Sequence, residues 1–154
     1  MELIAGSTRF GFWFVEVRWS GDTVYRVRFS RTRPEEGPVP PLLQQYLAGR
    51  PVDLSVLKPG VSPPGERYGE IYREVRNIPY GATATYGEIA GLLGTGPRVV
   101  GQAMSRNPVP LIIPCHRVVS RSGPGGFSPD PEIKVRLLEM ERKNKKRFTA
   151  ESDR

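Results

Sequence analysis

A chain of 154 residues with 38% hydrophobic composition can bury one good core or two small ones, and a single cysteine with a single histidine excludes an internal disulfide and a Cys/His zinc cluster. No apolar run reaches membrane-spanning length, and Met1 to Gly11 lacks a basic segment followed by an apolar one. Neither a membrane nor a secretory signal is therefore expected, and a reducing, cytoplasmic setting fits. The 23 Lys and Arg against 16 Asp and Glu leave a net charge of +7 and an isoelectric point near 9.9, which suits a polyanionic partner. Up to Gly65 there are 8 basic and 6 acidic residues, and 15 and 10 beyond it, although part of that excess is Arg142 to Arg147, which reads as a solvated, frayed end.

Phe10 to Trp19 alternates, with Phe10, Phe12 and Phe14 opposite Trp13, Val15, Val17 and Trp19, and predicts a strand covered on both faces. Ser20-Gly21-Asp22 supplies a turn, and Thr23 to Phe29 alternates again with Arg26 and Arg28 opposite Tyr25, Val27 and Phe29, so an antiparallel hairpin with one wetter face follows. Arg31 to Val39 is a polar loop. Pro40-Pro41 then opens a short helix through Leu42, Leu43, Tyr46 and Leu47, ending at Gly49, and Val52 to Leu57 is a candidate third strand. Lys58 to Gly65, rich in proline and glycine, is the best domain boundary, giving a sheet domain over 1–57, a linker over 58–65, a second domain over 66–147 and a tail over 148–154.

Glu66 to Asn77 carries Tyr68, Ile71, Tyr72 and Val75 at helical spacing. Thr85 followed by Glu88 has capping-box spacing and starts a helix through Ile89, Ala90, Leu92 and Leu93. Gly94-Thr95-Gly96 breaks it, and Pro97 opens the next helix, Arg98 to Arg106. Two short helices around a glycine turn have the form of a helix-turn-helix, although a generic helical hairpin has the same pattern. The second helix carries Gly101, Gln102, Ala103 and Ser105, a face small enough for close approach to nucleic acid or for tight packing against another helix.

Asn107 to Val119 concentrates the chemistry. Its three prolines deny it a helix and a regular ladder, and its many Val, Leu and Ile residues make it a buried, irregular, extended segment. Cys115 and His116 stand side by side there. A lone cysteine in an apolar run is an inert small hydrophobe unless neighbours favour its thiolate, for which His116 and Arg117 are candidates. Adjacent side chains of an extended chain point apart, so a turn at Cys115 or a bridging water is expected. Ser120 to Pro129, with Gly123, Gly125 and Gly126, is a loop suited to wrapping a ligand. Asp130 caps and Pro131 begins the last helix, predicted to run to about Arg142. On it Ile133, Leu137, Leu138 and Met140 form an apolar arc that also contains Glu141, a carboxylate that needs a partner: His116, the only imidazole, or Lys134 on the same arc.

The string Pro-Cys-His-Arg-Val, with Asn-Pro-Val-Pro upstream, resembles the active-site signature of the O6-alkylguanine-DNA alkyltransferases, and the similarity is strong from about Glu66 to Glu141. The resemblance implies a mixed α/β (α+β) fold of two domains, a small ribonuclease-H-like antiparallel sheet with a helix and a C-terminal winged-helix or helix-turn-helix domain. It implies irreversible, single-turnover transfer of a methyl or other alkyl group from O6 of guanine, and also from O4 of thymine, to the protein's own cysteine after the nucleotide is flipped. No cofactor or metal is implied. The partner is double-stranded DNA with O6-alkylguanine, met through the minor groove by a monomer that is nucleoid-associated in a prokaryote.

Carried over by motif, Cys115 resembles the alkyl acceptor, His116 the base that activates it through a water, and Glu141 the group that orients His116. Tyr86 resembles the tyrosine that assists base rotation and offers a proton to the departing guanine. Arg98 resembles the arginine that fills the vacated stack, with Gly101, Gln102, Ala103 and Ser105 on the DNA-binding helix. Asn107 matches the asparagine that ties this helix to the active-site segment, and the Val118 backbone and Ser128 match walls of the guanine pocket. The family's usual tyrosine before that serine is here Phe127, in a loop one residue shorter. Two rivals remain from the residues alone: a thiol hydrolase, which would turn over, and a helix-turn-helix binding module with a structural cysteine.

Overall fold

The computed structural model describes residues 2–60 and 68–152. Residues 61–65 of the expected linker and Glu66 and Arg67, the first two residues of the expected helix, lie outside the described residues, as do the last two residues of the tail. Phe10–Trp19 is not one strand. Ile4–Phe10 (β1) and Trp13–Ser20 (β2) pair antiparallel, with Phe10 opposite Trp13 across a two-residue turn. Gly11 makes that turn at φ 59°, a left-handed conformation that costs other residues roughly 1 kcal/mol or more. The reversal leaves Phe12 at the hairpin tip, 67% exposed, instead of aligned with Phe10 and Phe14. β2 is also covered on one face alone: Trp13, Val15 and Val17 are buried, whereas Phe14 and Glu16 are half-buried and Arg18 is exposed.

Thr23–Ser30 (β3) pairs antiparallel with β2, as its alternation predicts. The register slips between Arg18, opposite Arg26, and Trp19, opposite Val24, so Tyr25 is an extra residue. That bulge switches the parity of the strand, which is why Val24, Val27 and Phe29 are all buried. Val52 to Leu57 is not a strand. The Asp53 carboxylate accepts from the Ser55 N–H at 2.9 Å and caps a 3-10 turn, Leu54–Val56, a local alternative to a ladder. Strand pairing is confined to Lys58–Pro59 (β4), which lies parallel to β3 and completes a sheet in the order β1-β2-β3-β4.

The sheet's buried face receives Pro41–Leu47 (α1) through Leu43, Tyr46 and Leu47. Gly69–Arg76 (α2) turns Ile71, Tyr72 and Val75 inward, and its Arg76 bonds the carbonyls of Ile112, Ser55 and Leu57 at 3.2, 3.0 and 2.7 Å. Each fully buried aliphatic side chain of such a core is worth roughly 1.5–3 kcal/mol. Ala84–Thr85 (β5) leads into Tyr86–Leu93 (α3), where Thr85 and Glu88 form the expected reciprocal cap, and Gly94 at φ 66° ends the helix. Pro97–Ser105 (α4) follows with Pro97 in its first turn. Val118–Val119 (β6) pairs parallel with β5.

Pro131–Ser152 (α5) closes the fold, begun by the Asp130 carboxylate accepting from the Glu132 N–H at 3.0 Å. It continues ten residues beyond the expected end at Arg142, because no glycine or proline interrupts it, so the basic run from Arg142 to Arg147 is helical. No described helix is long and apolar enough to cross a membrane.

Candidate active site

The segment before the cysteine is buried as expected but folds back on itself instead of extending. The Ile113 N–H reaches the Val109 carbonyl at 3.0 Å, and Leu111, between them, sits at φ 78°. Asn107 holds this loop closed: its Nδ2 donates to the Ile113 carbonyl at 2.8 Å and its Oδ1 accepts from the Val109 N–H at 3.0 Å. β3 supports the same loop through the Val27 N–H, 3.2 Å from the Pro108 carbonyl. Asn107 follows α4 by two residues, so the end of that helix and the approach to Cys115 are fixed together.

Cys115–Arg117 is a 3-10 turn, which removes the strand alternation that would have held Cys115 and His116 apart. The turn sends its side chains to different neighbours. His116 and Arg117 reach Glu141 on α5, whereas Cys115 lies on the floor of a cavity of about 420 Å³ lined by Tyr86, Gly101, Met104, Ser105, Gly126, Phe127 and Ser128. The wall of that cavity is therefore α4, the first residue of α3 and the glycine-containing loop. Cys115 is 6% exposed. Burial pushes its thiol pKa up, against the Asn107 side chain, the Lys134 charge and nearby backbone N–H groups, so the resting side chain is a thiol that needs a base.

Glu141 and His116 pair as the apolar arc of α5 predicts, with Oε2 2.6 Å from Nε2 and both side chains buried. Glu141 has more partners than sequence reasoning supplied. Arg117 donates from Nε to Oε1 at 2.9 Å and from Nη2 to Oε2 at 3.0 Å, the Gly81 N–H donates to Oε1 at 2.9 Å, and the Tyr46 hydroxyl donates to Oε2. Burial alone would raise the Glu141 pKa, but His116 and Arg117 outweigh it and hold the carboxyl below the usual carboxylate range. Arg117 is thus committed to Glu141 and to the Ile78 carbonyl, 2.9 Å away, and does not serve the thiol.

Burial lowers the His116 pKa, with Glu141 opposing, so the imidazole is neutral at physiological pH. With Nε2 against a carboxylate, Nε2 carries the proton and Nδ1 is the free base. Nδ1 is buried and has no hydrogen-bond partner among the described residues.

Lys134, an alternative partner for Glu141 on sequence grounds, goes elsewhere. Only 1% exposed, its ammonium donates to the Val118 carbonyl at 2.6 Å and to the Tyr86 hydroxyl and Gly126 carbonyl at 3.4 Å each. Burial lowers its pKa to about 8, with Cys115 opposing. Val118, expected as a pocket wall, is fully buried and is not among the residues that line the cavity, and its carbonyl is engaged by Lys134. Burial, and next Cys115, raise the Tyr86 pKa, so its hydroxyl stays protonated. Gly125, at φ 84°, passes so close that a Cβ there would stand 2.9 Å from the Tyr86 hydroxyl. Phe127 meets Phe29 of β3 edge-on at 5.6 Å, so the sheet backs the loop.

Of the α4 residues, Arg98 and Gln102 are exposed and Gly101 and Ser105 border the cavity. Ala103 is a correction: it is 0% exposed and its carbonyl accepts from the Tyr72 hydroxyl at 2.7 Å, so it packs the helix inward and offers no surface to DNA. Met104, which sequence reasoning passed over, is one helical turn from Gly101 and lines the same cavity. Tyr46 and Lys134 are site residues that the sequence did not assign, Lys134 leaving a signal as a cation on an apolar arc, whereas Arg117, a candidate neighbour of the thiol, serves Glu141 instead.

A family described as 6-O-methylguanine DNA methyltransferase, DNA binding domain, matches residues 66–143. The chain is 46% identical over 99 residues to a methylated-DNA--protein-cysteine methyltransferase of Methanopyrus kandleri, a match covering 64% of this chain and 75% of that protein. A protein of the same name from Metallosphaera sedula is 42% identical over 99 residues, which is 64% of this chain and 63% of the relative's length. In three dimensions the chain is similar to the Mycobacterium tuberculosis O6-methylguanine methyltransferase, with TM-score 0.74 and 26% identity over 92% of this chain and 94% of that one. The Mycobacterium tuberculosis protein OGT in complex with DNA is similar at TM-score 0.73 and 27% identity, over 90% and 92% of the two chains.

Proposed function

The chain belongs to the O6-methylguanine DNA methyltransferase family, and from that premise we propose that it repairs DNA by moving an alkyl group from O6 of guanine to Cys115, once per molecule. The observation that carries the reading is the place of the chain's single cysteine, on the floor of a cavity walled by the second helix of a helix-turn-helix, beside the buried His116–Glu141 pair.

O6 of guanine is closed to a thiol inside a stacked duplex, so the nucleotide is flipped into the cavity at a cost of roughly a few kcal/mol, offset by contacts there. Arg98, exposed in the first turn of α4, fills the vacated stack, and Gly101, Gln102 and Ser105 lie against the backbone of the minor groove. His116 Nδ1 takes the thiol proton through a water while Glu141 holds the ring. The Cys115 sulfur then attacks the alkyl carbon, and the carbon–O6 bond breaks with its electron pair left on the purine. Tyr86 offers the purine a proton and regains one from solvent as His116 releases its own. In sum the thiol proton replaces the alkyl group on guanine. The thioether has no leaving group at neutral pH, so the reaction ends there.

Asn107 keeps the cysteine turn against α4, and Phe127 and Ser128 form the outer wall of the guanine pocket, with Val118 behind it. Residues 1–57 act as a supporting domain and 66–147 as the DNA-binding and alkyl-transfer domain of a monomer that works in the cytoplasm, on the nucleoid in a prokaryotic cell. The test is Cys115→Ser, which should bind duplex DNA containing O6-methylguanine with near-native affinity in a gel-shift titration and accept no alkyl group. Loss of binding by the folded variant would contradict this separation of roles.

A further inference from the structure

We infer that Tyr46, from the helix packed beneath the N-terminal sheet, is a positioning residue for alkyl transfer that sets the proton affinity of His116 through Glu141. The inference rests on the reading of His116 as the base for Cys115. The Tyr46 ring is fully buried, packs edge-on against Tyr80 at 5.9 Å, and brings its hydroxyl to Glu141 Oε2 and within 3.2 Å of His116 Nε2. Those are the same two atoms whose mutual bond fixes the imidazole tautomer. Tyr46 lies 70 residues from His116 in sequence, and its hydroxyl makes no other hydrogen bond among the described residues, so it is committed to this pair.

The sign of the effect follows from the donors around the carboxylate. Glu141 Oε2 accepts from Tyr46, His116 and Arg117, and each donor that stabilises its charge leaves less of it to hold a proton on the imidazole. The groups facing His116 are Glu141 and Lys134 from α5, Tyr46 from α1, and Arg117 and Cys115 beside it. Only Glu141 favours the imidazolium; Arg117 and Lys134 oppose it. Burial, and next Glu141, raise the Tyr46 pKa, so its hydroxyl remains a donor across the working range. Removing it strengthens the pull of Glu141 on His116, raises the imidazole pKa, and frees the ring to turn. A base that is protonated more of the time accepts fewer thiol protons.

Tyr46→Phe keeps the ring and deletes the hydroxyl. His116 is the only histidine, so its ring resonances titrate without ambiguity in a nitrogen-labelled sample. In the variant we expect the His116 titration and the acid limb of the transfer rate to move up together by about one pH unit. On the acid limb, below both titrations, transfer should slow about tenfold, which is what a shift of one pH unit gives there, while the plateau near neutral pH changes far less. Superimposable titrations and rate profiles for the two proteins would overturn the inference. If the variant does not fold, the wild-type protein still decides: the Tyr46 hydroxyl proton should give a slowly exchanging downfield resonance with a cross-relaxation peak to the His116 ring, and its absence would overturn the inference. A wild-type protein that takes no alkyl group would instead remove the alkyltransferase reading, while the His116 titration would still report on Tyr46.

Discussion

His116→Ala should slow alkyl transfer from duplex DNA by roughly 100- to 10,000-fold, the usual contribution of a positioned general base. The expectation is large because the thiol is buried in surroundings that favour its protonated form, and His116 Nδ1 is the free base held beside the cysteine turn. Glu141→Gln should also slow transfer, since an amide in its place no longer demands the Nε2-protonated tautomer. The two residues act as a unit, so the double variant should be far less impaired than the product of the single effects. Independent, multiplicative losses in single-turnover kinetics would take Glu141 out of the mechanism. The pH profile carries the same information: with the His116 pKa depressed, the acid limb should fall below the ordinary imidazole value of about 6.5. Glu141→Gln also leaves the buried Arg117 without its counter-charge, a loss of about 3–5 kcal/mol in stability, so its kinetics belong at temperatures well below its melting point.

Arg98→Ala should slow repair of duplex DNA strongly while leaving transfer from free O6-benzylguanine near normal. Arg98 is exposed in the first turn of α4 and does not line the cavity, so a free base that needs no flipping should not register its loss. A vacated stack left unfilled returns part of the cost of extrusion, roughly a few kcal/mol, to the duplex reaction alone. A simple phosphate contact would give a different result, with uniformly weaker DNA binding and a salt slope smaller by about one. Equal losses on the free base and on duplex DNA would show that Arg98 supports the pocket and would withdraw the intercalating role.

The residues legible in the sequence were those whose partners lie near in the chain or on a regular periodicity. Thr85 and Glu88 cap one another three residues apart, and Glu141 falls on the apolar arc of α5 at a helical angle, so both could be read directly. Asn107 bonds residues two and six positions away and was likewise visible through its motif. Tyr46 had no such signal, because a tyrosine on the inner face of a short amphipathic helix looks like any core aromatic until the fold brings it to Glu141, 95 residues away. Arg117 was misassigned for a related reason: a cation beside a cysteine suggests thiolate stabilisation, and the 3-10 turn instead directs it to a carboxylate on another element. In the sheet, a lone glycine in an apolar run concealed a chain reversal at Gly11, and a bulge at Tyr25 broke the alternation on which face assignments depend.

The most direct measurement is the intact mass of the protein after incubation with excess duplex DNA containing O6-methylguanine, followed by peptide mapping. One methyl group per chain, located on Cys115, with repair ceasing after one equivalent, is the expected result. Sustained turnover without a mass change would identify a thiol hydrolase, and DNA binding with neither turnover nor adduct would leave a binding module. A methyl group mapped to any residue other than Cys115 would contradict the assignment of the nucleophile itself.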